Sequence, residues 1–292
     1  MPANDRNEIW IREGHENTSE LGFRIERTLF SQRSRFQQVD VLKTKNHGVI
    51  LVNDGIVMLT ERDEFIYHEM IAHVPLFVHP RAKQILVIGG GDGGTVREVL
   101  KHRSVERVVM VEIDEMVVRA CREHLPAVGG ALDDSRLELV FEDGIQYVAE
   151  TDARFDIVMV DSSDPVGPGT GLFERSFYEH VAGILKPDGI LITQAESAFY
   201  DHALQKSMFS SQRPFFKKLH MYLYTTLAYP GGLYGFGFAS QGLCPVKDFS
   251  ADRVKAANLA TRYYNARIHR AAFMLPVFLE EALAGVLDPA IW

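Results

Sequence analysis

Five short apolar runs, at residues 85–88, 108–111, 137–140, 155–160 and 190–193, alternate with amphipathic segments near 95–101, 114–124 and 176–185. No other feature narrows the fold so far. Runs of this length that are apolar on both faces read as strands covered on both sides, and the helical stretches between them supply the cover. The pattern predicts an α/β fold built on a parallel sheet with helices on both faces. Strand ends in such sheets open into the ligand crevice.

Upstream the period changes. From Phe23 to about Thr60 short apolar runs alternate with polar residues, and Asn53-Asp54-Gly55 reads as a hairpin turn, which predicts a small antiparallel β domain. Thr60 opens T-E-R-D, a capping-box-like start with Asp63, and Phe65, Ile66, Glu69, Met70 and His73 follow at helical spacing to an expected end near Pro75. The domains are therefore drawn as a β-rich unit over 1–75 and a Rossmann-like catalytic unit over 76–292. Beyond the sheet pattern, 221–227 and 233–239 read as strands flanking Tyr229-Pro230-Gly231-Gly232, and 276–284 as a final helix.

A chain of 292 residues with 46% hydrophobic content can bury a sizeable core. Its 2 cysteines, Cys121 and Cys244, are too few for a disulfide framework and lack metal-type spacing, so a reducing compartment and no metal are expected. The first residues carry no apolar signal core and no long apolar run follows, which makes cytoplasmic the expected location. A net charge of −8 works against nucleic-acid binding, which depends on basic patches.

The chemistry gathers where strands end. Asp161 and Asp164 stand three positions apart, where the run at 155–160 gives way to a Gly/Pro loop, and a carboxylate pair there suits a cationic substrate. G-G-G-D-G-G (89–94) follows a strand and opens a helix, as in nucleotide and nucleoside sites. Asp92 inside that loop would repel a phosphate, so a cationic ligand is expected instead. Glu112 ends the next strand, placed to accept from both ribose hydroxyls, whereas Asp114 reads equally well as a helix cap. Asp143-Gly144 follows the third strand, where the carboxylate either accepts from an adenine amine or caps a helix. His47, His79, His102 and His220 stand alone and are given no role.

These blocks, with T-E-R-D-E-F-I-Y-H-E-M (60–70), V-E-I-D (111–114), E-D-G (142–144), D-S-S-D-P-V-G-P (161–168) and Y-Y-N-A-R-I-H-R-A-A-F-M-L-P (263–276), closely resemble the spermidine synthases, the polyamine aminopropyltransferases. The resemblance implies a Rossmann-like, methyltransferase-type domain behind a small N-terminal antiparallel β domain, assembled as a homodimer or homotetramer. It implies transfer of an aminopropyl group from decarboxylated S-adenosylmethionine, a co-substrate rather than a cofactor, to a diamine. By the same resemblance Asp161 is the general base, and Gln37, Tyr67, His68, Asp161, Asp164 and Tyr229 serve the amine. Asp92 holds the aminopropyl ammonium, Glu112 the ribose and Asp143-Gly144 the adenine, with Pro168 in a loop over the nucleoside. The segment 164–173 is then expected to act as a water-excluding lid.

Charge agrees with that assignment. The donor carries a sulfonium and an ammonium but no carboxylate, and a diamine adds two positive charges, which Asp92, Asp161 and Asp164 complement. An ordinary methyl donor keeps its carboxylate, which fits poorly beside Asp92. Met58 stands where the family pattern has glutamine, which opens the acceptor to cadaverine, agmatine or a longer amine. A small-amine methyltransferase and a non-catalytic polyamine binder are the more distant readings.

Overall fold

The computed structural model describes residues 8–15, 19–162 and 167–289. Its N-terminal part is a five-stranded antiparallel sheet of consecutive neighbours: β1 (Ile9–His15), β2 (Ser19–Arg33), β3 (Gln38–Thr44), β4 (Val49–Asn53) and β5 (Ile56–Thr60). The predicted hairpin joins β4 to β5 through Asp54 and Gly55, both at positive φ (48° and 88°), as a tight two-residue turn requires. β1 and the start of β2 lie before the predicted stretch, and β2 itself buries only Phe23 fully, with no sustained alternation.

Helix α1 (Glu64–Val78) then crosses to the second sheet. It does not stop near Pro75 as expected; Pro75 lies inside it, and the amide of His79 donates to the Pro75 carbonyl at 2.8 Å. Thirteen of its fifteen residues are buried, so packing carries the helix past the missing amide. The cap also differs from expectation. Asp63 precedes the helix without capping it and spends its carboxylate elsewhere.

The remaining chain runs β6 (Gln84–Gly89), α2 (Gly94–Leu100), β7 (Arg107–Glu112), α3 (Glu115–His124), α4 (Pro126–Gly129), β8 (Leu137–Phe141), α5 (Gly144–Glu150) and β9 (Phe155–Asp161). A 3₁₀ turn (Gly167–Phe173) leads to α6 (Arg175–Ile184), β10 (Leu185–Ser197), α7 (His202–Gln212), β11 (Lys218–Thr225), β12 (Leu233–Ser240), α8 (Ala251–Ala257), α9 (Ala266–Ala272) and α10 (Val277–Ala282). Seven strands form one sheet in the order β11-β12-β10-β9-β6-β7-β8, parallel from β10 to β8 and antiparallel at the β12 and β11 edge.

Alternation along the strands splits the core in two. Val87, Met110, Met159 and Ile192 face one way, into a cluster with Met70, Val74, Val96 and Val99 of α1 and α2. Leu86, Ile88, Val109, Val111, Val158 and Val160 face the other, against Val148, Phe177, Tyr178 and Val181. The strand order reverses between β6 and β9. That switch point is where an open sheet leaves a crevice.

Candidate active site

Gly89 and Asp161 are register partners across the switch point, at the last positions of β6 and β9. The Gly90 amide donates to the Asp161 carbonyl at 2.7 Å, and a Cβ at Gly89 would collide with that same carbonyl. Only glycine, here at φ +81°, lets the two strand ends come so close. One cleft at this point is lined by Gln37, Tyr67, His68, Asp92, Glu112, Asp143, Gly144, Asp161 and Tyr229. Nine predicted residues thus meet in one place. Asp164 lies outside the described residues, as does part of the expected lid. Pro168 falls in the 3₁₀ turn, whose Gly169 and Leu172 wall the cleft.

Asp161 is buried, and both its oxygens meet hydroxyls: Tyr67 donates to Oδ1 and Thr95 to Oδ2, each at 2.7 Å. Burial and the nearby Asp92 charge push its carboxyl above the ordinary value, against the pull of His68 and the two hydroxyls. Burial and the adjacent Asp161 charge likewise raise the Tyr67 phenol well above its usual range. Tyr67 therefore keeps its proton and donates it.

Asp92 occupies the glycine loop with Oδ1 accepting from the Gly94 amide at 2.7 Å and 3.2 Å from Nε2 of His68. Burial works to raise its carboxyl, but His68 and the Gly94 amide prevail and hold it below the usual range. His68 is enclosed: Nδ1 meets Glu64 at 2.5 Å, Glu64 is braced by Arg97 at 2.8 Å, and the ring leaves no room for a Cβ at Gly94. Burial would lower its pKa, yet the carboxylates of Asp92 and Glu64 raise it to about 10, so the ring is an imidazolium.

At the other end Glu112 is buried, and its Oε1 accepts from the Asp114 amide at 2.8 Å. Burial raises its carboxyl to about 7. Asp114 caps α3 through the Met116 amide, and Asp143 caps α5 through the Ile145 amide at 2.8 Å while also lining the cleft. The cap and ligand readings of Asp143 are therefore compatible. Gln37, an amine-side residue by the resemblance, donates its amide to Asp114 at 3.0 Å, at the Glu112 end of the cleft it lines.

Residues that sequence reasoning passed over share this site. Thr95 touches Asp161 and sits directly after the glycine motif, which was the available signal. Glu64 and Arg97 hold His68 from helical positions whose pattern is indistinguishable from that of solvated charges. Glu196 lines the cleft at φ +54°, a left-handed position at the irregularity between Gln194 and Ser197 of β10 that no sequence pattern announces.

Among the described residues two groups bring possible metal ligands within 4.8 Å of one another: His68 with Asp92 and Asp161, and His79 with Asp156 and Asp188. In the first both ring nitrogens of His68 already face carboxylates. In the second Nδ1 of His79 accepts from the Arg81 amide, which leaves the proton on Nε2, the nitrogen a metal would need. Neither donor set is arranged as a ready metal site.

The family description of a spermine/spermidine synthase domain matches residues 64–249, and that of a spermidine synthase tetramerisation domain matches residues 9–61. The chain belongs to the spermine/spermidine synthase family. It is 44% identical over 278 residues to a polyamine aminopropyltransferase of Caldicellulosiruptor saccharolyticus, covering 94% of this chain and 98% of that one. A polyamine aminopropyltransferase of Methanocaldococcus jannaschii is 42% identical, with 96% and 97% covered. A spermidine synthase solved in complex with the transition state analogue AdoDATO superposes with a TM-score of 0.93 at 40% identity, covering 95% and 96%. The spermidine synthase of Thermotoga maritima gives 0.91 at 39% identity, covering 95% of each chain. This member of the spermidine synthase family is an aminopropyltransferase with the expected methyltransferase-like sheet behind an N-terminal β sheet.

Proposed function

We propose that the enzyme transfers the aminopropyl group of decarboxylated S-adenosylmethionine to putrescine, giving spermidine and 5′-methylthioadenosine, with no cofactor. The observation that carries this reading is Asp161: a buried carboxylate of raised basicity at the switch point, with Asp92 in the same cleft. In this reading Glu112 accepts from the ribose hydroxyls, Asp143 and Gly144 meet the adenine, and Asp92 takes the donor ammonium. Asp161, Tyr67 and Tyr229 receive the amine, with Asp164 completing that side and Pro168 lying over the nucleoside.

Attack needs a neutral amine, and moving a proton from an alkylammonium to an ordinary aspartate is uphill by about 9 kcal/mol. The raised Asp161 carboxyl narrows that gap from one side, and the donor's sulfonium lowers the amine from the other. The amine lone pair then forms the new C–N bond while the C–S electrons pass to sulfur, which leaves as a neutral thioether. The sulfonium is itself the activated leaving group, so the protein's work is alignment and proton removal.

Met58 lines the same cleft, and its carbonyl accepts from the Tyr229 hydroxyl at 2.5 Å. A less polar wall there favours testing longer or differently headed amines beside putrescine. Mass spectrometry of products, with putrescine, cadaverine, agmatine and spermidine competing for decarboxylated S-adenosylmethionine, should return spermidine as the dominant product. A methylated amine, another dominant acceptor, or binding without turnover would each displace the proposal.

We also read the enzyme as a homo-oligomer, dimer or tetramer, acting in the cytoplasm. Support comes from the tetramerisation-domain match and from β1, which leaves Ile9 and Trp10 68% and 45% exposed. No described helix is long and apolar enough to cross a membrane, and Cys121 and Cys244 are unpaired. Light scattering in dilute buffer decides the assembly.

A further inference from the structure

Thr95 is fully buried in the first turn of α2 and does not line the cleft, yet its hydroxyl reaches Oδ2 of Asp161 across 66 positions of sequence. At the second position of the helix Thr95 has no preceding helical turn to offer its hydroxyl a carbonyl. The hydroxyl donates instead to the carboxylate at the end of β9. The turn that carries Thr95 is itself fixed, because Asp92 accepts from the Gly94 amide and Gly93 holds φ +86°. Gly90 closes the same side, where a Cβ would stand 3.0 Å from Oδ2. Oδ2 is thus held between the glycine turn and Thr95, with Tyr67 on Oδ1.

We propose that Thr95 is a positioning residue for the transfer, fixing the plane of the Asp161 carboxylate and favouring its ionised form so that its remaining lone pairs face the amine. The inference rests on the reading of Asp161 as the base. Among the described residues, the other charged or titratable groups facing that carboxylate are Tyr67 and His68 from α1, Asp92 from the glycine loop and Tyr224 from β11. Asp92 opposes ionisation and His68 favours it. Thr95 supplies a donor that does not titrate.

The test is the pH profile of kcat for the full chain at saturating decarboxylated S-adenosylmethionine and putrescine, comparing wild type with Thr95→Val, Thr95→Ala and Thr95→Ser. Activity requires ionised Asp161, so it falls on the acid side. Losing a hydrogen bond to a charged group moves that limb to higher pH by about one pH unit. Thr95→Val should show this shift with about a tenfold loss of kcat on the acid side, while the donor KM stays within about twofold because Thr95 does not line the cleft. Thr95→Ser should restore the limb, and Thr95→Ala serves if the valine variant does not fold. A wild-type limb in the hydroxyl-free variants, or no recovery with serine, overturns the proposal. Asp161→Asn separates the two levels: an inactive amide variant with an unmoved Thr95→Val limb removes only the positioning role. A fully active amide variant removes the base on which it rests.

Discussion

Nε2 of His68 lies 3.2 Å from Oδ1 of Asp92, inside a helix-to-loop contact that hides the imidazole from solvent. With Glu64 on the other nitrogen the ring keeps its proton, and burial does not prevail against the two carboxylates. Its folded pKa, about 10, is raised above the unfolded value, so its contribution to stability is complete below about pH 6.5 and is lost as pH rises through about 10. NMR of the His68 ring should show no titration between pH 5 and 9. Replacing it with leucine strands Asp92 without its cation, at about 3 kcal/mol, and decarboxylated S-adenosylmethionine should recover part of the lost melting temperature by placing an ammonium there.

Glu112 titrates where enzymes are assayed. Burial raises it to about 7, and the amides of Asp114, Gly91 and Ile113 oppose that rise. If the ionised form accepts from the ribose, the dissociation constant of methylthioadenosine should increase as pH falls below about 7. Glu112→Gln should weaken binding by about 10- to 100-fold and flatten that dependence; calorimetry across pH 6 to 8 reads both.

Asp63 ties the start of α1 to the loop that carries Tyr229. Its carboxylate accepts from Thr60 at 2.5 Å, from the Thr226 hydroxyl at 3.1 Å and from the Leu227 amide at 2.6 Å. Asp63→Ala frees that loop, so the acceptor KM should rise several-fold while the donor KM holds. Equal change in both would mean that the loop does not serve the amine alone.

Acid should destabilise the protein progressively. Burial lowers His102 to about 3, and His220 and His269 to about 4, so each stays neutral in the fold. A depressed pKa gives stability that is present above the unfolded value near 6.5 and is lost as pH falls toward the folded one. Melting temperature should decline from about pH 6.5 downward. Nε2 of His220 is buried without a hydrogen-bond partner, so His220→Phe should reduce that slope.

The sheet was legible because strands buried on both faces leave continuous apolar runs, and the site because glycines and carboxylates at strand ends have few other uses. What stayed hidden depends on contacts between distant segments. The Y-Y-N block braces α1: the amides of Tyr263 and Tyr264, with that of Arg262 just before them, donate to the buried Glu69 carboxylate at 2.7 to 2.8 Å, a packing device that sequence cannot tell from a binding motif. α7 went unpredicted because its apolar positions are few, and β1 because it is a mostly exposed ribbon. The Glu64–His68–Asp92 string needs two helical turns and a loop brought together before its charges mean anything.

The base assignment is decided most directly by Asp161→Asn, measured by equilibrium binding of decarboxylated S-adenosylmethionine and by single-turnover transfer to putrescine. The amide keeps the shape but cannot take the proton, so donor affinity should stay within about threefold while the transfer rate falls by at least about a thousandfold. A rate near that of the wild type, with binding intact, would contradict the account.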